Sequence, residues 1–270
     1  MTMASLTPVS FLCLLLTLIS HATADDSSNI YLNSYCGKAE GTYTTYSVYK
    51  NNLNTLLRKL SSNTGTGYGF YSLSYGQKPN QIYATGLCRG DVKPSDCQKC
   101  LDVAGTTLRK ECPNEKKATG YDNKCTIRYS PKPLFGVLTL AESYYMCNQN
   151  DTPEVEEFDQ VLTDLISKLT GTASSGDTRH KYAESSTTGP TSETVYANAQ
   201  CTPELSKQQC SDCLHTAFSY LFDYCEGKRG GRYIGPSCNF RYEFYRFYGP
   251  KAQEPPNAAP LKVYQHNFNF

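Results

Sequence analysis

Tryptophan is absent from this 270-residue chain, and histidine occurs only four times. Any stacking surface therefore rests on 22 tyrosines and 11 phenylalanines. The histidines stand apart at His21, His180, His215 and His266, so no zinc or other metal site with clustered nitrogen ligands is expected. Net charge is nearly absent as well. A formal charge of +1 argues against a partner held mainly through phosphates, and no nucleic acid is expected. Long apolar runs are scarce too. The run at residues 12–19 is too short to span a bilayer comfortably, and Ala22-Thr23-Ala24 follows it in small-x-small spacing. A signal peptide over 1–24 is expected, although that stretch contains no Lys or Arg. No later run reaches spanning length, and residues 250–270 read as a polar C-terminal tail. A secreted, extracellular chain with no membrane span is expected.

Cysteine is what the chain has in quantity. Thirteen are present, and loss of Cys13 with the leader would leave an even set, as an exported disulfide framework requires. The remaining cysteines fall into two series. Cys36, Cys88, Cys97, Cys100, Cys112 and Cys125 are separated by 51, 8, 2, 11 and 12 residues. Cys147, Cys201, Cys210, Cys213, Cys225 and Cys238 are separated by 53, 8, 2, 11 and 12. Four identical gaps in succession mark a tandem repeat with an offset of about 112 residues. Two domains are expected, at 25–135 and 136–249. Spacing alone leaves the pairing open, since six cysteines allow 15 connectivities.

Each repeat carries two helical patterns. Tyr49, Leu53, Leu56, Leu57 and Leu60 lie on one face, as do Phe158, Val161, Leu162, Leu165, Ile166 and Leu169 in the second repeat. Thr152-Pro153-Glu154 reads as the start of that second helix. A further helix is expected from near Ser95 and near Ser206, carrying Cys97 and Cys100, or Cys210 and Cys213. Tyr- and Thr-rich stretches at 69–76, 193–201 and 237–248 read as strands. The expected class is α+β: a tandem pair of small disulfide-bonded domains, each an antiparallel sheet packed with two helices.

The Cys-x8-Cys-x2-Cys signature at Cys88/Cys97/Cys100 and Cys201/Cys210/Cys213 resembles the ginkbilobin-type domain of plants. Two such domains after a leader resemble the plant cysteine-rich repeat secretory proteins. The same pair forms the ectodomains of cysteine-rich receptor-like kinases and plasmodesmata-located proteins. The resemblance implies the bridges Cys36–Cys112, Cys88–Cys97, Cys100–Cys125, Cys147–Cys225, Cys201–Cys210 and Cys213–Cys238. It also implies a mannose site built from an Asn, an Arg and a Glu, which by register are Asn148, Arg232 and Glu243. The first repeat holds Gly37, Thr119 and Ser130 there and matches none. Arg as a rigid donor fork, Glu as acceptor and Asn as both suit the vicinal hydroxyls of a hexose. The competing reading is a cross-strand Arg232–Glu243 ion pair.

What this implies is a mannose- or mannan-binding protein with an antifungal defence role in the apoplast. The alternative is a module that binds other extracellular proteins without sugar. No nucleophile motif or carboxylate pair singles out an active site, so neither catalysis nor a cofactor is expected. Asn150-Asp151-Thr152 is a glycosylation sequon close to Asn148, with Pro153 directly after it. Arg89-Gly90-Asp91 could be an adhesion signal, but a turn with a flexible Gly explains it better, because the second repeat holds Thr202-Pro203-Glu204.

Overall fold

The computed structural model describes residues 31–63, 68–177 and 180–249 and a strand at 262–265. The leader expected at 1–24 lies outside them, as does most of the tail. The first unit runs β1 (Tyr31–Cys36), α1 (Val48–Ser61), β2 (Phe70–Tyr75), β3 (Ile82–Cys88), α2 (Pro94–Glu111), β4 (Ala118–Asp122) and β5 (Cys125–Ser130). The second runs β6 (Tyr144–Cys147), α3 (Val155–Ser174), β7 (Tyr182–Thr188), β8 (Thr194–Cys201), α4 (Lys207–Cys225), β9 (Gly230–Ile234) and β10 (Cys238–Glu243). The antiparallel strands lie side by side as β1-β4-β5-β3-β2 and as β6-β9-β10-β8-β7. The class is α+β, twice over.

Hydrophobic periodicity decides which face each element buries. Tyr49, Leu53, Leu56, Leu57 and Leu60 of α1 are all buried against β2 and β3. Each such side chain contributes about 1.5–3 kcal/mol. Ser206 caps α4 with a reciprocal bond to Gln209, which accounts for the sharp start of that helix. The start of α3 differs from expectation. The helix begins at Val155, Glu154 takes a left-handed conformation, and Thr152 makes no cap. Instead the Thr152 N–H is drawn to the Gly227 carbonyl at 2.7 Å. The expected strand at 237–248 also stops early, at Glu243, because the chain then turns across the first domain. From the tail, a strand absent from the sequence expectation, β11 (Lys262–Gln265), pairs with the edge of β6. It satisfies backbone groups that an edge strand otherwise leaves open.

Six disulfides are present: Cys36–Cys112, Cys88–Cys97, Cys100–Cys125, Cys147–Cys225, Cys201–Cys210 and Cys213–Cys238. In each unit one bridge closes a short loop onto the second helix. A second ties that helix to the last strand of the cysteine series, and the third joins its end to the first strand.

Strand alternation leaves each sheet with a second face, turned away from its helices. Those faces are the ones through which the domains meet. Tyr121 packs with Tyr144, Met146 and Ile234 in a small apolar cluster of its own. Around it the contacts are polar. The Tyr144 hydroxyl donates to the Ser34 carbonyl at 2.6 Å, and Gln200 Nε2 donates to the Cys88 carbonyl at 3.0 Å. Arg128 Nη1 donates to the Pro236 carbonyl at 3.3 Å. Lys117 and Thr119 both reach Glu142.

Candidate functional site at the domain interface

The three residues implied by the resemblance do converge. Arg232 lies on β9 and Glu243 on β10, and the register sets Arg232 opposite Arg241 and Glu243 opposite Gly230. All four therefore share the sheet face turned to the first domain. Asn148 follows β6 and is fixed there by its N–H to the Gly230 carbonyl at 2.8 Å. Gly230 makes the convergence possible: a Cβ there would stand 2.1 Å from Glu243 Oε2 and 3.3 Å from Asn148 Cβ. Only a residue without a side chain lets the carboxylate lie across it.

The set is not an open hexose cradle. Arg232 is 8% exposed and Glu243 1%. Arg232 Nη1 donates to Asn123 Oδ1 at 2.7 Å and Nη2 to the Asn123 carbonyl at 3.1 Å, so its fork is turned onto the first domain. The ion pair of Glu243 runs along its own strand to Arg241, at 3.1 Å, rather than across to Arg232. Asn148 is half-buried, and its Oδ1 accepts from the Asn150 N–H at 2.9 Å. Asn150 itself is exposed, whereas Thr152 of the sequon is buried.

Arg241 was not singled out from sequence, although period-two alternation from Glu243 puts it on the same face. It donates to Glu243, to Asn123 Oδ1 and, through Nη2, to the Tyr245 hydroxyl at 2.6 Å. Its guanidinium lies 4.3 Å from the centre of the Phe247 ring. Burial, with Arg241 and Arg89 close by, pulls Arg232 well below the ordinary arginine range. Burial pushes Glu243 up, while Arg241, Asn148 and Arg232 act in the opposite sense.

The Arg89-Gly90-Asp91 stretch belongs to the same interface. Arg89 pairs with Asp91 at 2.5 Å, and its Nη2 donates to the Phe247 carbonyl at 3.0 Å. Asp91 Oδ2 accepts from the Gly249 N–H at 2.8 Å. Gly90 faces the ring of Tyr182, where a Cβ would come within 2.3 Å. Neither charged side chain is free to be presented to a receptor. The tripeptide is a clasp between domains: it turns, with the Val92 N–H donating to the Arg89 carbonyl at 2.9 Å, but its glycine is required by the close approach to Tyr182. Burial pushes Asp91 up, but the Arg89 pair and the Gly249 N–H outweigh it and leave the carboxyl below its usual range.

Asp122 ends β4 beside Asn123, buried, with Oδ2 unpaired among the described residues. Its Oδ1 accepts from the Lys124 N–H at 3.0 Å and lies 3.2 Å from Cys100 Sγ. Asp122, Cys100 and Cys125 form a cluster of ligand-type side chains, but both sulfurs are committed to their disulfide. Burial raises Asp122 to about 6, against the Lys124 N–H and the nearby Arg232. A folded carboxyl above its unfolded value binds its proton more tightly than the unfolded chain does. Its contribution is therefore fully present below the unfolded value, near pH 4, and is lost as pH rises to about 6. Over the full span, from well below pH 4 to above pH 6, wild type should lose about 3 kcal/mol relative to Asp122→Asn, about 2 of it between those two values. Urea midpoints of both proteins at several pH values between 4 and 7 check this, and parallel profiles would count against it.

Comparison with known proteins agrees with this architecture. The salt stress response/antifungal family matches twice, over residues 35–132 and 146–245. The antimicrobial ginkbilobin-2-like protein of Castanea crenata is 38% identical over 88% of this chain and 95% of its own length. Cysteine-rich repeat secretory protein 38 of Arabidopsis thaliana is 33% identical over 89% of this chain and 94% of its own. Cysteine-rich receptor-like protein kinase 29 of the same plant is 34% identical, but the chain spans only 38% of that protein's length. Among solved structures, the tandem DUF26 ectodomain of Arabidopsis PDLP8 superposes with a TM-score of 0.69 at 23% identity, covering 80% of this chain and 98% of that one. No described helix is long and apolar enough to cross a membrane. A pair of six-cysteine α+β units, each covered by its own family match, is sufficient to place the protein: it belongs to the salt stress response/antifungal family.

Proposed function

We propose that the protein is a non-catalytic recognition module of plant defence, secreted to the apoplast, in which the two domains act as one rigid body. The observation that carries this reading is the Arg232–Asn123 pair. The side chain best suited to grip a sugar is buried and bonded to the neighbouring domain. Targets would then be met by the outer surfaces of the pair, as protein partners are. Asn150, exposed on its loop, is the proposed glycan acceptor.

A mannose-type reading keeps one support: Asn148, Arg232 and Glu243 gather on one sheet face, with Asn148 half-exposed at its margin. It requires Arg232 to leave Asn123. Titration of the oxidised protein with mannose and mannan separates the two readings. No saturable binding is expected from wild type. Saturable binding that disappears in Glu243→Gln would overturn the protein-recognition reading in favour of a lectin.

A further inference from the structure

We propose that a groove on the first domain takes the aromatic side chain of an acidic segment of an extracellular protein. This deepens the recognition-module reading by naming a surface and a partner chemistry. The groove, of about 270 Å³, opens between the β2–β3 turn and the chain just after β5. Pro79, Pro131 and Pro133 wall it together with the half-buried ring of Tyr83. Exposed Lys78 and Lys132 supply its charge. Lys132 is paired with Glu40 at 3.0 Å yet its side chain is 73% exposed, so both lysines offer positive charge at the rim, and Lys78 is the one whose charge is not shared with Glu40.

The second domain shows what fills the equivalent place. Counting from the last cysteine of each repeat, Tyr83 corresponds to Tyr196, Phe135 to Tyr248 and Gly136 to Gly249. The strand register agrees, since Tyr83 pairs with Ser130 and Tyr196 with Glu243. The backbone agrees as well: Gly136 and Gly249 both turn the chain with positive φ, 71° and 72°. In the second domain Tyr248 is 4% exposed, with its ring edge-on to Tyr196 at 6.1 Å. In the first domain Phe135 is 65% exposed, and prolines replace Phe244 and Arg246 beside the groove. The fold thus has a built place for an aromatic ring, filled from within the chain in one repeat and open in the other. Proline and tyrosine walls suit a flat ring, and an acid next to that ring would meet Lys78.

The test uses the full oxidised protein and an end-capped peptide of sequence DEYED, followed by calorimetry and by amide shifts at Tyr83. Saturable binding is expected, with loss of detectable binding for DEAED and at least about tenfold weaker binding by Lys78→Glu. Absence of saturable binding, equal binding of DEAED, or indifference to Lys78→Glu would overturn the proposal. Binding of polygalacturonate at Tyr83 without binding of the peptide would also overturn it, by assigning the groove to an acidic sugar. None of these outcomes depends on the mannan titration, so the groove and the broader reading fail separately.

Discussion

Alanine at Arg232 is expected to lower the stability of the oxidised protein by about 3–5 kcal/mol. The magnitude follows from what the side chain leaves behind. Asn123 loses the short bonds to its side-chain and backbone oxygens and keeps the longer ones from Arg241 at 3.4 Å and Arg89 at 3.5 Å. Glu243 and Asp122, both buried, lose one of the cations that offset their charge. The arginine is itself held at a cost, because it is buried beside Arg241 and Arg89. Arg232→Met, which keeps much of the volume and removes that repulsion, should therefore lose clearly less than Arg232→Ala. Urea denaturation of the three proteins measures this. If alanine lies within about 1 kcal/mol of wild type, Arg232 is not what holds the domains together.

The second large effect is expected from the bridges, and it should depend on loop length. Removing Cys147–Cys225 as a double serine variant opens a loop with a sequence separation of 78, whereas Cys201–Cys210 closes one of only 9. On the chain-entropy account, loss of the long bridge should cost about 2 kcal/mol more than loss of the short one, within an overall range of about 2–5 kcal/mol for each. All four sulfurs are buried, so the burial lost is similar and the comparison isolates the loop. Denaturation midpoints of the two double variants decide it. Equal losses would place the stabilisation in native packing instead.

Much of the fold is legible in the sequence because the repeat states it twice. Four equal cysteine gaps and the α1 and α3 leucine faces are local patterns, and local patterns survive being read one segment at a time. The bridge pairing is different in kind. It rests on resemblance, since spacing leaves many connectivities open. Of the strands, only β2, β8 and β10 stand out in the sequence; the others, four to seven residues each within mixed sequence, carry little periodic signal. The site was legible only in part. Alternation could have placed Arg241 beside Glu243, but nothing local to Arg232 indicates that Asn123, over a hundred positions earlier, occupies its fork. Burial of a sheet face by another domain is a property of the pair. In a single repeat those residues look like a surface.

The clasp at Arg89 and Asp91 has a consequence for the order of events during synthesis. Its acceptor and donor on the other side, the Phe247 carbonyl and the Gly249 N–H, come after the last cysteine of the second repeat. A first domain that folds and oxidises as it emerges therefore keeps an unclasped ion pair until the chain has been made as far as Gly249. Until then the Arg-Gly-Asp lacks its contacts to Phe247 and Gly249, and completion of the second domain supplies them.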